Sequence, residues 1–120
     1  MKVEVSNGEL LDKLTILELK LSNITDKQKL INVNKEHSEL NPLALRLFEE
    51  YGNDLKRLYL ELTAINTELW KIEDDIRECE RNKDFGDQFI SLARSVYFTN
   101  DKRSDVKKAI NLLTDSGFIE

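Results

Sequence analysis

Three groups of residues carry side chains whose type and spacing could do chemistry. The first is Tyr59, Thr63, Asn66, Trp70, Glu73 and Arg77, which recur at intervals of four and three. At 100° per residue they share one narrow strip of a helix. Such a strip could wall a ligand site, with Tyr59 and Trp70 stacking and Glu73 and Arg77 anchoring polar groups. The plainer reading, which is preferred, is a packed flank with Glu73 and Arg77 as an ordinary i,i+4 ion pair. The second group is the run Arg94-Ser95-Val96-Tyr97-Phe98-Thr99-Asn100-Asp101-Lys102-Arg103. A helix is expected to start near Asn100, and a helix N-terminus offers free N–H groups to an anion. Arg94, Arg103 and Lys107 could add charge toward a phosphate or carboxylate. Asp101 would compete for the same donors as a cap. That favours a plain capped turn, with Arg94 bridging to an acid such as Glu73. The third group is Asp12, Thr15 and Glu18, set among apolar neighbours. A buried carboxylate needs a partner. A network from Asp12 or Glu18 to Arg77 or Arg94 is expected, structural rather than catalytic, with Lys13 pairing to Glu9.

Other chemistries are poorly supplied. The chain has one cysteine, Cys79, and one histidine, His37. These cannot build a disulfide framework, a cysteine zinc site or a multi-histidine centre within one chain. The acids Glu73, Asp74, Asp75, Glu78 and Glu80 lack the Glu-x-x-His partner of carboxylate-bridged metal bundles, since Asn34 stands three residues before His37. They read as a solvated helix face, and neither a metal nor a cofactor is expected. There is no glycine-rich phosphate loop, nucleophile elbow or supported Cys–His pair. With 18 basic against 23 acidic residues the net charge is −5, which disfavours a nucleic-acid binder. No apolar run approaches the roughly 20 residues needed to span a bilayer, and no leader pattern opens the sequence. A cytoplasmic protein is the expectation.

The elements that must position these groups are helical. The chain has 120 residues, four glycines and one proline, which suits one all-α domain over residues 1–120. Residues 1–5 are expected to form an extended arm. Ser6-Asn7-Gly8-Glu9 is a capping box. It opens a helix with Leu10, Leu14, Leu17, Leu21 and Ile24 on one face and Leu11, Ile16 and Leu19 on another, so this helix should be sandwiched between neighbours. Thr25-Asp26-Lys27-Gln28 reads as a second box and starts an antiparallel partner through Leu40. Asn41-Pro42 reads as a further start, giving a short helix over 43–50 that is interrupted at Gly52-Asn53. Leu55, Leu58, Leu62, Ile65, Leu69, Ile72, Ile76 and Cys79 then form the strongest seam in the chain. Residues 54–82 as one rod would span about 44 Å, more than the roughly 35 Å width of a compact body of this size. An elongated molecule, or a homodimer that covers the overhang, follows. A fourth helix from Asp84 or Asp87, a turn at Phe98-Thr99-Asn100-Asp101 and a fifth helix ending near Gly117 complete an elongated bundle of about five helices.

Three stretches, Ser6 to Glu18, Leu69-Trp70-Lys71-Ile72-Glu73-Asp74-Asp75-Ile76-Arg77 and Phe89 to Asn111, resemble a family of small uncharacterised bacterial and phage helical proteins. Members are sometimes found beside or fused to glycosyltransferases. The resemblance implies a setting and possible partners among surface-polysaccharide enzymes, but no activity. Three functions therefore stand. The first is a non-catalytic interaction or accessory protein. The second is a binder of, or small enzyme acting on, an anionic metabolite such as a sugar nucleotide, built on Trp70, Glu73, Arg77, Arg94, Asn100 and Arg103. The third is a chorismate-mutase-like enzyme, matched only loosely by the spacing of Arg77, Arg94 and Lys107.

Overall fold

The computed structural model describes residues 5–114. They form three helices, not five: α1 (Asn7–Asn23), α2 (Lys27–Arg81) and α3 (Asp87–Leu113). Residues 1–4 of the expected arm and the expected stop at Gly117 lie outside the described residues.

Ser6 caps α1, its Oγ accepting from the Glu9 N–H at 3.1 Å. The cap of α2 is Asp26, one residue later than the sequence suggested. It accepts from the N–H groups of Gln28 and Lys29 at 2.9 and 3.3 Å. With so short a link, α1 and the opening stretch of α2 form the expected antiparallel hairpin. Lys13 meets Glu36 at 3.3 Å, not Glu9.

Two expected breaks are absent. Pro42 sits inside α2. It removes one helical bond, to the carbonyl of Ser38, and both residues lie on the exposed side, where solvent replaces the lost partner. The expected turn at residues 98–101 is helical. No Gly or Pro interrupts α3, and Thr99 is buried against the body. Packing there overrides a local turn signal.

The break that does occur is at Gly52, with φ 61° and ψ −140°. It divides α2 into limbs 27–51 and 53–81. The rings of Phe48 and Tyr59 meet edge to face at 5.3 Å. In a straight helix, residues eleven apart would stand about 16 Å apart along the axis, so the chain bends sharply at Gly52.

The second limb is the unbroken rod that its seam predicts. Leu55 and Leu62 are fully buried, and Leu69, Ile72 and Cys79 nearly so. Leu55 and Leu62 join Leu11 and Leu14 of α1, Ala44 of the first limb and Ile110 of α3 in one core. The second apolar face of α1 is used as expected. The hydroxyl of Tyr51 donates to the Thr114 carbonyl at 3.0 Å, so the end of α3 returns to the bend. α3 thus lies antiparallel along the rod and lines its far turns. The described body measures 48 × 33 × 30 Å, elongated as expected, with the overhang lined by the chain's own α3.

Gly52→Ala should lower stability by about 1–3 kcal/mol, because only glycine adopts this backbone region without strain. A Cβ there would meet nothing within 4 Å, so the loss would be purely conformational. Denaturant unfolding measures it, and an alanine variant of unchanged stability would contradict the bend.

Candidate functional site

All three helices meet around one carboxylate. Asp12 of α1 is buried, with 3% of its surface exposed. Its Oδ1 accepts from Asn66 Nδ2 of the rod and from Arg103 Nε of α3, each at 2.9 Å. A second guanidinium nitrogen of Arg103 donates to Oδ2. Thr15, one turn on, donates to the Asp12 carbonyl at 2.7 Å and accepts from Asn66 Nδ2 at 2.6 Å. The bonds from Asp12 hold the Arg103 pKa above the usual arginine value, against the opposing effect of burial. This is a bidentate pair whose carboxylate takes a further bond from Asn66, the kind of arrangement in which a buried ion pair is tolerated.

Beside this network lies a cleft of about 200 Å³ lined by Ile16, Leu19, Lys20, Asn66, Leu69, Trp70, Glu73 and Arg103. Trp70 and Glu73 of the helical strip and Arg103 of the separate basic run therefore line one cleft. Lys20 and Asn66 complete the polar lining; Asn66 lay on the helical strip, while Lys20 carried no signal. Two cationic and one anionic side chain line the cleft, and Asp12 supplies a further negative charge beneath it.

The other candidates lie elsewhere. Arg77 is exposed and pairs with Asp74, not Glu73. Arg94 lines a separate shallow hollow with Asp87, Ser91, Ser95 and Phe98, and among the described residues no ion pair joins it to Glu73. Asn100 sits in mid-helix, so no helix N-terminus offers an anion site there. Lys107 pairs with Glu9 at 2.6 Å. Arg77, Arg94 and Lys107 thus do not share a pocket. Asp12 finds its partner in Arg103, not in Arg77 or Arg94. Glu18 accepts from the Tyr59 hydroxyl, and His37 Nε2 lies 3.5 Å from its other oxygen without a hydrogen bond. Burial, then the Glu18 bond, pushes the Tyr59 phenol far above its ordinary value.

A further set escaped the sequence reading. The Gly8 N–H donates to Asn111 Oδ1 at 2.7 Å, and Asn7 Nδ2 donates to Thr114 Oγ1 at 2.9 Å. A Cβ on Gly8 would stand 2.6 Å from the Lys107 carbonyl oxygen. Ser6-Asn7-Gly8-Glu9 is therefore a docking motif for α3 as well as a cap. The signal available was the glycine inside a capping box, where a helix former is otherwise favoured.

Among the described residues no cluster of three or more His, Cys, Asp or Glu could hold a metal ion, and no described helix is long and apolar enough to cross a membrane. The model of one protein family, DUF6165, matches residues 1–120. The chain belongs to that family. DUF6165 is a family of unknown function. No curated protein and no solved structure matches the chain.

Proposed function

We propose that this DUF6165 chain is a non-catalytic accessory protein whose working surface is the outer face of α3. One observation carries the reading: Ile90, Tyr97 and Phe98 stand 54%, 77% and 61% exposed on that helix. Large apolar side chains grouped on one exposed face mark interaction sites. The best-built polar group, by contrast, is spent on holding the fold together. The cleft beside it is also smaller than the roughly 300–1,000 Å³ of common ligand pockets. The resemblance to small bacterial and phage proteins sometimes found beside glycosyltransferases supports a cytoplasmic accessory role alongside surface-polysaccharide enzymes.

A photo-reactive phenylalanine analogue at position 97, in the cells that produce the protein, should yield a discrete adduct that the same probe at exposed Lys35 does not. No adduct at 97, or identical adducts at both positions, would overturn the reading.

A second reading follows from the convergence of Lys20, Trp70, Glu73 and Arg103: the cleft binds a small anionic metabolite, or the sugar or phosphate part of a sugar nucleotide. Stacking on Trp70 and charge from Arg103 and Lys20 would support it. A panel of sugar phosphates and nucleotides at millimolar concentration should then raise the melting temperature of the wild type but not of Trp70→Ala. Unchanged melting across the panel removes this reading.

A further inference from the structure

The outer face of α3 has an order that its apolar content alone does not require. Thr99, Arg103 and Ile110 face the body, buried or half-buried. On the opposite side, exposed, lie Asp87, Arg94, Tyr97, Phe98, Asp101 and Lys108. Among the described residues no ion pair takes up any of those four charges. Their positions are symmetric about the midpoint between Tyr97 and Phe98. Arg94 and Asp101 stand at equal distances on either side of it, and so do Asp87 and Lys108, further out. Each symmetric charged pair is of opposite sign.

We propose that this face is the interface with a second copy of the chain, α3 against α3, antiparallel about a twofold axis at the Tyr97–Phe98 midpoint. The inference rests on the reading that this face is the working surface, and it names the partner. In this register Arg94 faces Asp101 of the second copy and Asp87 faces Lys108, each twice by symmetry. Tyr97 and Phe98 of both copies form the apolar centre, ringed by the charges. A parallel pairing would set Arg94 against Arg94 and Asp101 against Asp101, so the charges select the antiparallel arrangement. One position is not complementary: Ile90 falls opposite Asp105. Two of the three charged levels on this face thus match in sign around an aromatic centre, the pattern that an isologous interface favours. An unrelated partner would not impose this symmetry on the sequence.

Charge exchange tests the register. Sedimentation equilibrium is run on the full chain, the single variants Arg94→Asp and Asp101→Arg, and the double variant carrying both. All substitutions are on exposed positions, and circular dichroism melting checks that each variant is folded. The wild type should dimerise. Each single reversal creates two like-charge contacts and should weaken association at least tenfold. The double variant, which restores opposite signs, should return to within about threefold of wild type. A wild type that stays monomeric to several hundred micromolar overturns the proposal. So does a dimer that is indifferent to the single reversals, or one that the double variant fails to rescue. If a folded, monomeric wild type still gives a crosslink at position 97 to a different polypeptide, the self-pairing fails while the accessory reading stands. If no adduct forms at all, both fail.

Discussion

The fold depends on the burial of one charge. Asp12 sits on the inner side of α1 with almost no surface exposed, where an unpaired carboxylate would be very costly. Its oxygens are filled only when the rod supplies Asn66 and α3 supplies Arg103 together. Those residues are 54 and 91 positions away in sequence. The carboxylate therefore fixes the rotation of two helices and the height of both against α1. The apolar core alone would tolerate sliding along the leucine seam; the polar network does not. About one turn nearer the N-terminus of α1, Gly8 and Asn7 bring the backbone of that helix onto the last turn of α3. Two polar joints on neighbouring turns of α1 thus hold α3 in a single orientation.

That orientation is what makes the outer face of α3 a defined surface. Arg103 points inward at Asp12, and by helical periodicity Arg94, Tyr97, Phe98 and Asp101 point outward. The same clamp limits the chemistry of the cleft. Two bonds to Asp12 occupy Arg103, so this guanidinium is less available to an anion than its place in the sequence suggested. The division of labour is a rigid polar interior and an exposed, ordered face on a helix that is long for the body carrying it.

The rod and the bend before it were legible because their signals are strong and local. The apolar seam repeats for more than three heptads, and Gly52 is a residue suited to a break. The all-helical class followed from the scarcity of Gly and Pro. The number of helices did not follow. Asn41-Pro42 and Phe98-Thr99-Asn100-Asp101 carry the local marks of a start and a turn, but both lie in unbroken helix: Pro42 gives up one bond on an exposed side, and the burial of Thr99 outweighs the turn preference. The second error propagated. A turn at residues 98–101 would reset the helical phase, so Arg103 read as part of an anion site. In the continuous helix Arg103 follows Thr99 by four residues and precedes Ile110 by seven, on the face toward the body. The need of Asp12 for a cation was visible in the sequence, but its identity required that phase. Asn66, Trp70 and Glu73 share a cleft because they lie on the rod, whose helical phase the apolar seam sets.

The most direct test of this account is a double-mutant cycle on Asp12 and Arg103, read by denaturant unfolding. Arg103→Ala alone should cost about 3–5 kcal/mol, because it strands a buried carboxylate. Adding Asp12→Ala to that variant should cost little more or restore stability, giving a coupling energy of at least about 2 kcal/mol. Losses that simply add, or an Arg103→Ala variant within about 0.5 kcal/mol of wild type, would show that the carboxylate does not organise the three helices.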